Sequence, residues 1–577
     1  MYRFASLLLA AVFAAAIPAA AQDSVSPAPP TADIPRVQSV TAQNGMVVAQ
    51  ESIAARVGAE ILKNGGNAVD AAVATGFALA VTYPRAGNVG GGGFMVIHLA
   101  QARKNIAIDY RETAPAAITR DSFLDVLGNA DPQKSIASGL GVGVPGTVAG
   151  LALAHRKYGS GKFTLAQLIA PSIALARDGF IVDGDLADTF ASAKPLFERW
   201  PSSAKVFLKP GGQSYGQGDK LVQTDLANTL EAIAKSGPRA FYQGPIAEEI
   251  AASVRSAGGV MTAADLKGYR PIARVPLRGR YHGYDIVSMP PPSSGGTHLI
   301  EILNILEGYD LKKIGPASPE TAHILVEAMK RAYADRAVYL GDPDFVTVPT
   351  RALMSKRYAH NLRKTIGERA TPSSEIRNGD PAKAEGDNTT HFSVVDRFGN
   401  AVSNTYTLNL SYGVGLIAEG TGVLLNNELD DFAAKPGAPN AFGLVGASAN
   451  APAPRKRPLS SMTPAIVLKD GKPYLVTGSP GGSRIISTVL QVIVNVLDHE
   501  MSLADALTAP RLHHQWLPDQ VSAERGYPAA TLKALEARGH SVMVRVPGTS
   551  ANSVLVTPAG LVGAADTRSR GALAAGN

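Results

Sequence analysis

Thr389 has the most chemistry to offer, on condition that the chain is cut in front of it. Within Asn388-Thr389-Thr390-His391-Phe392 it is otherwise an ordinary strand residue. A freed α-amine has a pKa of about 8, so part of it is a neutral base near neutral pH. One residue then supplies both the nucleophilic hydroxyl and its base. The pentapeptide alone does not establish such a cut. Arg111 offers a planar fork suited to a carboxylate; read alone, it is more often a surface ion pair. Glu428 and Asp431 stand three apart, so one helical turn would bring both carboxylates to one face. Read alone, they form a solvated face, and Ser460-Ser461 reads as a turn.

These residues need a scaffold. Residues 51–63 carry apolar side chains at helical spacing (Ile53, Val57, Ile61, Leu62) and stop at Asn64-Gly65-Gly66, which suits a left-handed cap. Residues 68–81 are small and apolar throughout and predict a buried helix. Strands are predicted over 94–97 and 106–110. Residues 150–270 read as mainly helical, and Ser318-Pro319 opens a long helix running to about Tyr339. From Thr390 the pattern alternates, turns at Asp396-Arg397-Phe398-Gly399-Asn400 and alternates again over 401–406, which predicts a hairpin. Asp470-Gly471 marks the tip of a second hairpin. Strands and helices in both halves imply layered packing.

Several patterns carry little. Gly141, Gly143 and Gly146 spell G-x-G-x-x-G, but Pro145 interrupts it and no strand leads in, so it reads as a turn. His513-His514 are adjacent and on a strand would face opposite ways, unlike a metal site. Residues 90–93 are four glycines, which either shape a pocket or permit close packing.

Composition narrows the classes further. The 577 residues contain no Cys, which excludes disulfides, thiolate metal sites and a Cys nucleophile. The net charge of +7 is slight for this length, and the densest basic run, Arg455-Lys456-Arg457, is too sparse for a nucleic-acid surface. Arg3, the apolar run 7–17 and Ala19-Ala20-Ala21 read as an export signal over 1–21. That run is too short for a membrane span. A Pro-rich flexible leader over 22–36 follows.

With their neighbours, these residues resemble one family. Asn388-Thr389-Thr390-His391-Phe392, Thr405-Tyr406-Thr407-Leu408-Asn409, Leu425-Asn426-Asn427-Glu428-Leu429-Asp430-Asp431-Phe432, Pro458-Leu459-Ser460-Ser461-Met462 and Gly478-Ser479-Pro480-Gly481-Gly482 follow the order seen in gamma-glutamyltransferases. Upstream, Gly87 to Met95 and Asp109 to Pro115 match the same family, and the resemblance runs from about residue 37 to 570. It implies an α+β fold, a four-layer αββα N-terminal-nucleophile hydrolase sandwich built jointly by two subunits. Self-cleavage between Asn388 and Thr389 would give a large subunit, 37–388, and a small one, 389–577, held as a heterodimer.

The resemblance also implies roles. Thr389 is the nucleophile, Thr407 orients it, and Gly481 and Gly482 form the oxyanion hole. Arg111, Ser460 and Ser461 bind the substrate α-carboxylate, with Met462 beside them; Asn409, Glu428 and Asp431 face its α-ammonium. The expected substrates are γ-glutamyl compounds such as glutathione, with water, amino acids or dipeptides as acceptors. No cofactor or metal is implied, and the expected location is periplasmic or secreted. One departure stands in the lid loop, 436–447, where Phe442 replaces the Tyr of bacterial members; this predicts a lid that has lost a phenolic hydrogen bond. The alternatives are a glutaryl-type (cephalosporin) acylase of the same superfamily and an uncleaved exported binding protein.

Overall fold

The computed structural model describes residues 34–376 and 389–577. The export segment, nearly all of the leader and Asn388 lie outside the described residues. Two seven-stranded sheets face each other, with a helical layer on the outside of each. Met46, Val48, Val96, Val395, Ile466, Val476 and Val554 fill the space between the sheets. This is the αββα arrangement that the resemblance implies.

The predicted hairpin forms as Thr390–Asp396 and Ala401–Thr407 and occupies the middle of the first sheet. Gly45–Ala49 pairs with it on one edge and Gly92–Leu99 on the other. Asp396 closes the turn by accepting the Phe398 and Asn400 N–H groups on one carboxylate oxygen. Alternation puts Phe392 and Val394 against the outer helices, as period 2 requires. The polar side is buried as well, because it faces the second sheet. There His391 Nδ1 lies 2.8 Å from Thr405 Oγ1, and Ser393 Oγ donates to the Asn552 carbonyl at 2.9 Å. Burial lowers the His391 pKa to about 3, so the ring stays neutral.

The outer helices follow from their sequences. Ala68–Thr82 is buried along its whole length, since small side chains let it be contacted from every direction. Asn67 and Asp70 close its first turn as a reciprocal capping box. Tyr406 Oη, on the hairpin, donates to the Gly76 carbonyl at 2.9 Å and ties this helix to the sheet. On the other side lie Gly295–Leu306, Pro319–Tyr339 and Arg484–Leu497. Ser318 caps the second of these by accepting the Thr321 N–H at 3.1 Å, with Pro319 at the first helical position. Asp470 and Gly471 both adopt positive φ, 51° and 75°, at the second hairpin tip. Gly146 precedes the helix Thr147–Tyr158 with no strand leading in, so the glycine pattern there is a turn.

Candidate active site

Extending the hairpin register by one residue places Thr389 opposite Thr407. Their Oγ1 atoms lie 3.5 Å apart. The Asn409 N–H donates to Thr407 Oγ1 at 2.8 Å, and Asn88 Nδ2 donates to the Thr407 carbonyl at 2.8 Å. The tract 90–93 serves this packing. A Cβ on Gly91 would sit 2.1 Å from the Thr407 carbonyl oxygen, and none of the four glycines reaches the cleft.

Thr389 opens into a narrow cleft. One wall is charged. Arg111 follows the strand Lys104–Asp109 and is fully buried. Asp109 holds this corner: it accepts the Arg111 N–H at 3.0 Å and is gripped by Arg274 and Arg457. Glu428 and Asp431 sit on one 3-10 turn, and both reach the Arg111 guanidinium. Asp431 Oδ2 lies 2.5 Å from Nη2, and Glu428 bonds Nη1. The two carboxylates do converge as their spacing predicts, yet the fork expected for a substrate carboxylate is already paired with them. Opposite charges buried together favour that pairing over solvent-poor isolation. Glu112 makes a third acid, 4.0 Å from Arg111 Nη1, and burial pushes it up to about 8. Burial also raises Glu428 and Asp431 above the usual carboxylate range, against the pull of Arg111. For Arg111 itself burial opposes the charge, but Glu428, Asp431 and Glu112 outweigh it and raise the guanidinium.

Asn409 completes this wall. It adopts φ 77°, a left-handed conformation that Asn tolerates better than most residues. Its Nδ2 donates to the Asn427 carbonyl at 3.0 Å, while its buried Oδ1 has no partner among the described residues.

The opposite wall is rich in donors. Ser460 Oγ accepts the Met462 N–H at 3.1 Å, and Ser461 Oγ accepts from Arg336 Nη2 at 3.2 Å. Neither hydroxyl donates to a protein acceptor among the described residues, so both protons are available to the cleft that these serines line. Met462 lines it beside them. Gly481 and Gly482 stand just before the Arg484–Leu497 helix with φ 127° and 50°. A Cβ on Gly481 would meet the Thr549 methyl at 2.4 Å. Gly482 lines the cleft and Gly481 sits behind it. Tyr333 Oη donates to the Ser483 carbonyl and anchors this corner.

Phe442 covers the cleft with its ring, together with Leu444. The lid lacks a phenolic bond but is latched by others. Asn440 Nδ2 donates to Asp431 Oδ1 at 2.8 Å, the Ala441 N–H donates to Asp430 at 2.8 Å, and Gln515 donates to the Phe442 carbonyl at 3.2 Å. The lid is therefore tied directly to the acidic turn.

The structure brings the expected residues to one cleft, with Gly481 just outside its surface and Asn388 outside the described residues. Several positions escaped sequence reasoning as site builders, Glu112 beside Arg111 among them. Asn426 and Asn427 brace the acidic turn against Gly90, Gly143 and Leu410. Their adjacency to Glu428 was a usable signal. Asn440, in the lid, and Arg336, 125 residues before Ser461, offered none.

Comparison with known proteins agrees with this geometry. The profile of the family described as Gamma-glutamyltranspeptidase matches residues 54–576. The glutathione hydrolase proenzyme of Escherichia coli (strain K12) is 51% identical, over 99% of this chain and 98% of its own length. The crystal structure of Helicobacter pylori gamma-glutamyltranspeptidase superposes with a TM-score of 0.56 at 48% identity, covering 58% of this chain and 95% of that one. A cephalosporin acylase from Bacillus halodurans superposes with a TM-score of 0.81 at 28% identity, covering 96% and 98%. The chain belongs to the gamma-glutamyltranspeptidase family.

Proposed function

We propose that this protein cleaves the γ-glutamyl amide bond of glutathione and related compounds through an acyl-enzyme on Thr389. It first cuts itself between Asn388 and Thr389, yielding subunits 37–388 and 389–577 that stay together. The name of the Escherichia coli relative, a proenzyme, supports this maturation. In the mature enzyme the freed α-amine of Thr389 takes the Oγ proton as Oγ attacks the γ-carbonyl carbon. The developing oxyanion is met by backbone N–H groups at Gly481 and Gly482. Losing one such donor typically costs about 3–4 kcal/mol in the transition state. The C–N bond breaks and the leaving amine takes the proton back. Water, or the amine of an amino acid or dipeptide, then attacks the ester carbonyl and frees Thr389. Thr407, 3.5 Å away, orients the nucleophile.

The observation that carries this reading is the polarity of the cleft around Thr389. Arg111 and the two serine hydroxyls suit an α-carboxylate; Glu428, Asp431 and the Asn409 oxygen, which has no partner among the described residues, suit an α-ammonium. A glutaryl side chain has no ammonium and would offer no donor to Glu428 Oε2 and Asn409 Oδ1, the two buried oxygens here that have no partner among the described residues. Export through the segment 1–21 is part of the proposal. Among the described residues no helix is long and apolar enough to cross a membrane.

The test is denaturing electrophoresis with N-terminal sequencing of purified protein, followed by assays on γ-glutamyl and glutaryl anilides. A small chain beginning at Thr389 and preference for the γ-glutamyl anilide are expected. Thr389→Ala should remain one uncut chain with no turnover; a variant that still cut itself would sink the assignment.

A further inference from the structure

Arg336 sits in the last turn of the Pro319–Tyr339 helix, 4% exposed. Its Nε donates to Ser294 Oγ at 3.0 Å and its Nη2 to Ser461 Oγ at 3.2 Å. Ser294 Oγ donates in turn to the Ser460 carbonyl at 2.8 Å. Arg336 forms no ion pair among the described residues; Asp431 and Tyr333 act on it only from a distance. Burial accordingly lowers its pKa to about 10, still charged at neutral pH. Among the described residues this buried charge is hydrogen-bonded to hydroxyls and not to a carboxylate, an exception to the usual rule that buried charges are paired.

A guanidinium only donates. The Ser461 oxygen is therefore an acceptor towards Arg336, and its proton must point elsewhere, into the cleft. Arg111 lies on the other wall and is already bonded by Glu428 and Asp431.

We propose that Arg336 is a positioning residue for the α-carboxylate of the γ-glutamyl group: it supplies uncompensated positive charge behind Ser461 and turns that hydroxyl's proton towards the substrate. The assignment rests on the γ-glutamyl reading above.

Two substrates separate this role from a structural one: γ-glutamyl 4-nitroanilide, and 4-aminobutyryl 4-nitroanilide, which lacks only the α-carboxylate. Each is assayed with wild type, Arg336→Gln and Arg336→Lys, using excess enzyme for the slower substrate. Arg336→Gln should raise KM for the γ-glutamyl anilide by about 30-fold, in keeping with loss of a buried charge contact. Its kcat should change far less, and kcat/KM for the 4-aminobutyryl anilide should match wild type. Arg336→Lys should recover part of the KM, because it restores charge without both N–H directions. Equal losses on the two substrates, or a loss in kcat alone, would overturn the proposal. If Arg336→Gln does not mature, Arg336→Lys carries the same comparison, with a raised KM for the γ-glutamyl anilide alone as the supporting result. Wild type inert towards γ-glutamyl anilide would instead overturn the proposed function itself.

Discussion

Two buried arginines flank the cleft and differ in how their charge is met. Arg111 is surrounded by acids: Glu428 and Asp431 bond it, and Glu112 lies 4.0 Å away. Arg336 donates to the hydroxyls of Ser294 and Ser461 and forms no ion pair among the described residues. Behind it, burial lowers His298 to about 3, with Arg336 adding to the effect, and burial raises Glu301 to about 8. The first arginine is a structural clamp as much as a binding group. The second keeps its field for whatever enters. Two guanidiniums within one site can therefore divide holding the fold from attracting an anion.

The sharpest way to break this comparison is to remove each cation. Arg111→Ala leaves two buried carboxylates without their partner and should cost about 3–5 kcal/mol of stability, together with nearly all turnover. Denaturant melts of the two variants check it. Arg336→Gln strands no ion pair and should lose much less stability; equal losses would erase the distinction drawn between the two sites.

A smaller effect concerns the wall behind Arg336. Glu301 is held protonated in the folded protein up to about 8, whereas its unfolded carboxyl ionises near the ordinary value of 4.5. Below that ordinary value it is neutral in both states and contributes nothing to pH dependence. As pH rises towards 8 only the unfolded state gives up its proton, so stability falls across this window. Glu301→Gln should flatten that fall, so that its melting temperature gains on wild type by several degrees between pH 5.5 and pH 8. Thermal melts at both values test it, and parallel curves would show that Glu301 is ionised in the folded protein.

The smallest effect belongs to the lid. Phe442→Tyr can restore one hydrogen bond to a loop already latched at Asp430, Asp431 and Gln515. The ratio of transfer to hydrolysis should shift by about two- to ten-fold, the worth of one neutral hydrogen bond. Initial rates with and without a dipeptide acceptor measure it, and no change in either rate would remove the lid hydroxyl from the account.

Much of this was legible in the chain. Local patterns carry their own physics: the cap at Ser318, the buried run 68–81 and the alternation from Thr390 each specify an element from a few neighbouring residues. The three-residue spacing of Glu428 and Asp431 was enough to place both carboxylates on one face. Ordered motifs pointed to the family, and the absence of Cys excluded thiol chemistry. Alternation could not reveal that the polar side of the Thr390–Asp396 strand is buried too, because a second sheet built from distant residues covers it.

Pairing across the fold was decided only in three dimensions. Arg111 meets Glu428 and Asp431 from more than 300 residues away, and Arg336 meets Ser461 across 125. No local period or cap encodes such contacts. They follow from sheet register and from how the helices pack on it. Sequence alone determined which groups could do chemistry and which elements would carry them. Tertiary structure decided which arginine is ion-paired and which is bonded to hydroxyls, because that depends on the distances between groups brought together by folding.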